Sequence, residues 1–276
     1  MRVRRTSMVG QGEAIGGFNV NNLEDIRAVV AAAEDAQTPV ILLVSEGALK
    51  YAGAPYMAAL LGAAAESASV PVHSQLDHGS SLESVVQCIQ AGFNSVMIDG
   101  SHLPFDENIA LTRQAVQLAH ACGVWVEGEI GVIGGTEEGL YRGSAGLTPP
   151  EQAAEFARLT GVDALAAAVG TAHGFYKERP QIDIARIRAM RAMVDCELVL
   201  HGGSDVDEAQ IQAAVAAGIN KINVGTELKA AYAHTLRGAL AADPAAIDPR
   251  KALTSARGAM QKLVAEKLRL FRGVLR

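Results

Sequence analysis

Three histidines occupy equivalent positions in the sequence. His78, His173 and His201 each follow a short apolar stretch, and each is followed by a glycine. Three neutral imidazoles with one open coordination position are a usual ligand set of a catalytic zinc ion, which acts as a Lewis acid. The three residues are far apart in the chain, so this prediction requires a fold that brings the ends of the three stretches together.

A carboxylate stands directly before the first of these histidines. Asp77 ends the apolar stretch VPVHSQLD (70–77). Adjacent residues of a strand point in different directions, so Asp77 is not predicted to bind the same ion as His78. A carboxylate near a cation keeps its charge and can act as a general base on a hydroxyl group of a metal-bound substrate. The alternative role is to orient a histidine from outside the coordination sphere.

Eight short apolar stretches can supply strands that would position these residues. Their interiors are almost continuous Val, Ile, Leu and Ala, as expected of parallel strands covered on both faces. The predicted strands span 14–20, 39–45, 70–77, 95–100, 124–131, 164–170, 197–203 and 221–227.

Helical patterns lie between the predicted strands, as in LEDIRAVVAAAEDAQ (23–37) and DEAQIQAAVAAG (207–218). The alternation predicts an α/β fold, a (β/α)8 TIM barrel forming one domain over 1–276, with a doubly wound open sheet as the alternative. Residues after about 228 are predicted to form extra C-terminal helices. In such a barrel, chemistry takes place at the carboxyl ends of the strands. Polar residues cluster there: Asn19, Ser45, Asp77, Asp99, Glu127, Glu129, His173, His201 and Asn223.

Glycine-rich segments follow three of the strands. The segment GVIGGTEEGLYRGSAG (131–146) makes one connection unusually long and is predicted to be a lid. The turns HGGS (201–204) and AHGFYK (172–177) could bind a phosphate group through backbone N–H groups, with Lys177 adding positive charge. Together with a metal site, they favour a phosphorylated, oxygen-rich substrate.

Composition limits the class of protein. The net charge is −6, and the chain lacks a long cluster of Lys and Arg, which argues against nucleic acid as a partner. No apolar run is long enough to cross a bilayer, and the basic N-terminus is not followed by the apolar segment of a secretory signal. The sequence therefore predicts a cytoplasmic protein without a membrane partner. The three cysteines lack CxxC spacing and are predicted to be buried free thiols.

Five segments, in this order, resemble class II, metal-dependent ketose-bisphosphate aldolases, the family of fructose-bisphosphate and tagatose-bisphosphate aldolases. They are VPVHSQLDHGSSLESVVQCIQAGFNSVMIDGSH, EGEIGVIGGTEEG, GTAHGFY, LVLHGGSD and KINVGTELK. The similarity runs from about Asn19 through 248–253 and into the last helix. It implies a (β/α)8 barrel, a catalytic Zn2+, and a homodimer or homotetramer; a second metal ion or a monovalent cation is left open.

The resemblance also implies roles for single residues. His78, His173 and His201 match the zinc ligands, and Asp77 matches the acid/base residue of the family. The positions that match contacts to the dihydroxyacetone-phosphate half of the substrate are Gly174, Lys177, Gly202, Ser204, Asn223 and Thr226.

Four further positions match the active site of this family. Asn19 and Ser45 match substrate-binding positions, and Glu137 matches a mobile acidic residue linked to proton transfer. Arg250 resembles an arginine that reaches the distal phosphate in a neighbouring subunit. The implied reaction is reversible cleavage of a ketose 1-phosphate or 1,6-bisphosphate to dihydroxyacetone phosphate and an aldehyde, with Asp77 removing the C4 hydroxyl proton.

The sequence departs from the family pattern in ways that leave the sugar open. Gln75 stands where many members have histidine, which suggests altered polarity near the entrance to the site. Asp205 resembles the tagatose branch, whereas SEGA (45–48) and Lys177 resemble the fructose branch. A ketose 1-phosphate with a carboxylate or sulfonate at its far end is an alternative substrate.

Two other functions are considered. A non-catalytic accessory barrel is a second hypothesis, and a Schiff-base aldolase is disfavoured because Lys221 lies at the wrong end of its strand.

Overall fold

The computed structural model describes residues 10, 12–137, 140–142, 146–175 and 180–273. Eight parallel strands form a closed barrel: β1 Ile15–Asn19, β2 Val40–Ser45, β3 Val72–Gly79, β4 Ser95–Ile98, β5 Trp125–Ile130, β8 Ala164–Ala167, β9 Glu197–Leu200 and β10 Ile219–Val224. Their order around the barrel is β1-β10-β9-β8-β5-β4-β3-β2, with β1 hydrogen-bonded to both β2 and β10. All eight predicted strands are present, which confirms the (β/α)8 barrel.

Ten helices are described along the chain. Several begin at a side-chain cap, as where Ser81 Oγ accepts from the backbone N–H of Ser84 at 3.2 Å. The helices are α1 Leu23–Asp35, α2 Glu46–Ala52, α3 Ala54–Ser67, α4 Leu82–Gln90, α5 Phe105–Ala121, α6 Pro150–Thr160, α7 Ile184–Met193, α8 Glu208–Ala217, α9 Thr226–Ala242 and α10 Arg250–Phe271.

Side chains of alternating strand residues separate two apolar regions. Phe18, Leu42 and Val44 belong to the large core between the strands and the helices. Ile15, Ile41 and Leu43 form a small cluster of their own. Because the strands are covered on both faces, strands such as β2 (VILLVS) and β8 (ALAA) are almost continuous apolar runs, and this explains why such runs predicted them.

The glycine-rich connection between β5 and α6 contains a short antiparallel hairpin of β6 (Gly135–Glu137) and β7 (Leu140–Arg142). Its first strand is tied to the barrel mouth, because Gly135 pairs with His173 and the backbone N–H of His173 donates to Gly134 O at 2.7 Å. A side chain at Gly135 would put its Cβ 2.1 Å from His173 O, so glycine is required for this approach.

The C-terminal helices extend the barrel, as predicted. Helix α10 packs along α1 and α9 and reaches β1. No helix in the described ranges is both long enough and apolar enough to cross a membrane. The prediction of buried thiols is correct for Cys88 and wrong for Cys122, which is exposed where α5 ends, and Cys196 is half-buried. All three cysteines are free.

Candidate active site

The three predicted metal-binding histidines lie together at the barrel mouth. His78, His173 and His201 each offer a ring nitrogen, and these three atoms lie within 4.8 Å of one another. His78 is held in the left-handed region, with φ of 51°, beside an irregularity in the pairing of β3 with β4. This conformation is uncommon for a residue other than glycine and directs His78 towards the mouth together with the preceding residue.

Two buried carboxylates fix the orientation of two of these rings. Asp99 Oδ2 lies 2.9 Å from Nδ1 of His78, and Glu127 Oε1 lies 2.8 Å from Nε2 of His201. The remaining nitrogens, Nε2 of His78 and Nδ1 of His201, face each other at 3.0 Å. This separation is close to the distance of about 3.3 Å expected between two nitrogens that are each bound at 2.0–2.1 Å to a tetrahedral zinc ion. Burial lowers the pKa of His201, which favours the neutral imidazole that a metal requires.

A buried polar network supports His201 from inside the barrel. Glu127 Oε2 accepts from Lys221 Nζ at 2.5 Å and from Gln75 Nε2 at 3.0 Å, and Gln75 Oε1 accepts from Ser95 Oγ at 3.0 Å. Burial would raise the pKa of Glu127, but the Lys221 ammonium and the His201 hydrogen bond hold that pKa well below its ordinary range. The carboxylate therefore stays ionised and keeps its role as acceptor.

Asp77 lies beside the histidines with its carboxylate held by two amides. Asn19 Nδ2 donates to Oδ2 of Asp77 at 2.8 Å, and Asn223 Nδ2 lies 3.4 Å from Oδ1. Asp77 is only 2% exposed, yet it faces the cavity at the mouth. An anchored carboxylate in this position can remove a proton from a bound hydroxyl group without having to reorient.

A cavity of about 300 Å³ joins most of the predicted site residues. Its lining comes from the carboxyl ends of strands on both sides of the β1–β10 junction and from the beginning of α9. The lining residues are Asn19, Ser45, Asp77, His173, Gly174, His201, Gly202, Ser204, Asn223, Gly225, Thr226 and Lys229. Ten of these were predicted from the sequence, and His78 reaches the same centre through its contact with His201.

Four residues singled out in the sequence are not among the described residues that line this cavity. Arg250 does not line this cavity; it is exposed and pairs with Asp248 at 2.6 Å. Lys177 and the side chain of Glu137 lie outside the described part of the chain. Gln75 is fully buried beneath the site rather than near its entrance, because its place in β3 turns it into the barrel.

Sequence reasoning missed two lysines of this region. Lys229 lines the cavity from the first turns of α9, and its position one helical turn after Thr226 could have indicated this. Lys221 was considered only as a Schiff-base residue, whereas it is paired with Glu127 inside the barrel. No local pattern in the sequence links residues that are 94 positions apart.

The chain matches known proteins over nearly its whole length. Residues 7–274 match the family described as fructose-bisphosphate aldolase class-II. A fructose-bisphosphate aldolase of Geobacillus stearothermophilus is 44% identical over 94% of this chain and 91% of its own length. A probable fructose-bisphosphate aldolase of Bacillus subtilis (strain 168) is also 44% identical, over 95% of this chain and 93% of its own length.

Solved structures of aldolases also resemble this chain. The crystal structure of the YdjI aldolase from Escherichia coli K12 superposes with a TM-score of 0.86 at 34% identity, covering 98% of this chain and 96% of that protein. The carboxylate-oriented histidines and Asp77 thus lie in a barrel with extensive similarity to aldolases in both sequence and structure. The chain belongs to the class II fructose-bisphosphate aldolase family and is an aldolase, a carbon–carbon lyase.

Proposed function

We propose that this aldolase reversibly cleaves a ketose 1,6-bisphosphate of the fructose or tagatose type. The products are dihydroxyacetone phosphate and an aldehyde such as glyceraldehyde 3-phosphate. The observation that carries this proposal is that three histidines converge beside a cavity that His173, His201 and Asp77 line. The two relatives named as fructose-bisphosphate aldolases support the choice of substrate class.

His78, His173 and His201 are proposed to hold a zinc ion. The donor set fits this metal, because all three ligands are imidazole nitrogens and two of the rings are oriented by carboxylates. When bound, zinc supplies Lewis acidity towards the ketose carbonyl.

Asp77 is proposed to take the proton of the C4 hydroxyl group. The electron pair of that O–H bond forms the aldehyde C=O, the C3–C4 bond breaks, and its electrons move towards C2 to give an enediolate. A proton delivered to C3 then completes dihydroxyacetone phosphate, and Glu137, on the hairpin tied to His173, is proposed to assist this transfer. Asn19 and Asn223 keep the Asp77 carboxylate aimed into the cavity.

The phosphate of the dihydroxyacetone-phosphate half is proposed to bind to the loops after β8 and β9 and to the beginning of α9. Gly174, Gly202, Ser204 and Thr226 line the cavity there and offer backbone N–H and hydroxyl donors. Lys177 is proposed to add positive charge to the same group. Asn19, Ser45 and Asn223 are proposed to contact the substrate oxygens, because all three side chains lie at the same mouth.

The distal phosphate is proposed to be recognised across a subunit interface. Arg250 is exposed at the beginning of α10 and does not line the cavity of its own chain. In a homodimer or homotetramer it could reach the cavity of a neighbour. Lys229 also lines the described cavity, and its positive charge suits either a distal phosphate or the carboxylate or sulfonate of the alternative substrate.

A panel of phosphorylated ketoses tests the proposal. Zinc-loaded enzyme is mixed with fructose 1,6-bisphosphate, tagatose 1,6-bisphosphate and ketose 1-phosphates ending in a carboxylate or sulfonate, and release of dihydroxyacetone phosphate is measured. Highest kcat/KM with one of the bisphosphates supports the proposal. Preference for a carboxylate or sulfonate substrate would select the alternative, and no release from any of them by a metal-loaded chain would indicate a non-catalytic role.

A further inference from the structure

The loop after β9, residues 201–205, has a constrained backbone. Gly202 has φ of 67°, and a Cβ at this position would lie 2.3 Å from Ala172 O. Asp205 has φ of 57°, although it is not a glycine. Residues with a side chain are uncommon in this left-handed region, so the surrounding structure must hold Asp205 in place.

Glu227 holds this loop at two consecutive residues. Its carboxylate accepts a hydrogen bond from the backbone N–H of Asp205, and its own backbone N–H donates to Ser204 Oγ at 3.3 Å. Glu227 lies in the first turn of α9, directly after Thr226. Ser204 and Thr226 both line the cavity, so Glu227 fixes two parts of its wall relative to each other.

Lys267, on the last helix, holds Glu227 in turn. Lys267 Nζ lies 2.9 Å from Oε1 of Glu227, the same oxygen that accepts from Asp205. Their side chains are only 12% and 15% exposed. An ion pair this well covered is screened by salt less than a surface pair. Lys267 therefore constrains Glu227 more strongly than an exposed lysine would.

We propose that Glu227 and Lys267 are positioning residues for the substrate phosphate. The pair keeps Ser204 and the backbone of 201–205 in the binding conformation before substrate arrives, so that little ordering is needed on binding. This inference rests on the proposed function, in which this loop binds the phosphate of the dihydroxyacetone-phosphate half. Neither residue touches the reacting atoms, so its loss should weaken substrate binding more than it slows the chemical step.

Lys267→Met in the full-length, zinc-loaded enzyme tests the inference. The measurements are kcat and KM for the best substrate of the wild type, and the inhibition constant of inorganic phosphate as a competitor. KM and the inhibition constant should each rise about five- to ten-fold, while kcat stays within about two-fold and zinc content is unchanged. Lys262→Met, an exposed lysine on the same helix, is the matched control and should change neither constant, and Lys267→Arg should restore both.

The opposite results separate the possible failures. A lower melting temperature with a lower kcat, but unchanged KM and phosphate inhibition, would mean that the pair is only structural and would overturn the inference. If Lys267→Met does not fold, Glu227→Gln, which removes the charge at similar size, must raise the same two constants. If phosphate inhibits the wild type, but the variants leave KM and the inhibition constant of phosphate unchanged, this inference alone is overturned. A wild type that neither cleaves the panel nor responds to phosphate overturns the proposed function as well.

Discussion

Asp77 and His78 are consecutive residues that both reach the barrel mouth. Consecutive residues of a regular strand point to opposite faces, but the positive φ of His78 and the irregular pairing after Leu76 break that alternation. A carboxylate and an imidazole can therefore act on one cavity from adjacent positions. This conformation is the local reason why both polar side chains at the end of β3 reach the barrel mouth.

Asp77→Ala should lose turnover while keeping the metal. The variant removes the proposed general base, so kcat should fall by about 10²- to 10⁴-fold. Because Asp77 is not one of the three proposed ligands, the zinc content of the purified protein should match that of the wild type. Steady-state kinetics and metal analysis check both statements, and an enzyme with nearly normal kcat would contradict the role given to Asp77.

Lys221→Met should destabilise the protein strongly. The variant leaves the Glu127 carboxylate buried without its cation, and breaking a buried pair in this way costs about 3–5 kcal/mol of unfolding free energy. Urea unfolding of the metal-free protein measures the loss. Adding Glu127→Gln removes the unpaired charge, so the double variant should recover a substantial part of the stability; equal stability of both variants would argue against this explanation.

At the scale of elements, the site depends on how three loops meet. The loop after β9 packs on the loop after β8, where Gly202 approaches Ala172, and the hairpin of β6 and β7 is joined to His173. The backbone N–H of Gly203 also donates to Asn223 O at 3.0 Å, which ties the same loop to β10. Small residues are needed at these contacts because backbone meets backbone.

Gly202→Ala should impair substrate binding. The added Cβ would meet a backbone carbonyl oxygen at 2.3 Å, in a region of φ that disfavours side chains, so the loop must move. KM should rise at least about ten-fold. Gly258→Ala is a matched control, because its Cβ would have open space within helix α10; it should leave KM unchanged and stabilise the protein by about 0.5–1 kcal/mol. Equal kinetics for the two variants would refute the argument.

At the scale of the whole molecule, the proposed metal joins three separate strand ends. His78 lies at the carboxyl end of β3, and His173 and His201 follow β8 and β9, so an ion bound to all three should stabilise the closed barrel. Treatment with EDTA should abolish aldol cleavage and lower the melting temperature, since a ligand present at about 1,000 times its Kd adds about 4.1 kcal/mol. Added zinc should reverse both effects. Full activity after verified metal removal would exclude the proposed zinc dependence.

The sequence by itself determined the barrel and most of the residues around the cavity. Continuous apolar runs mark strands buried on both faces, and polar residues at their ends converge because all carboxyl ends of a parallel barrel lie at one mouth. Both features follow from the local apolar pattern and from the closure of a parallel sheet into a barrel. Asp77 and the three histidines could be located in this way because each stands at or just after the end of its apolar stretch.

Only the tertiary structure decided the contacts between residues that are distant in the chain. The apolar pattern carries no information on which side chain reaches which partner across the barrel or between helices. Thus Gln75 proved to be buried beneath the site, Lys221 to pair with Glu127, and Lys267 to hold Glu227. These pairings depend on the register of the strands and on the packing of α10, which are fixed only when the whole chain closes.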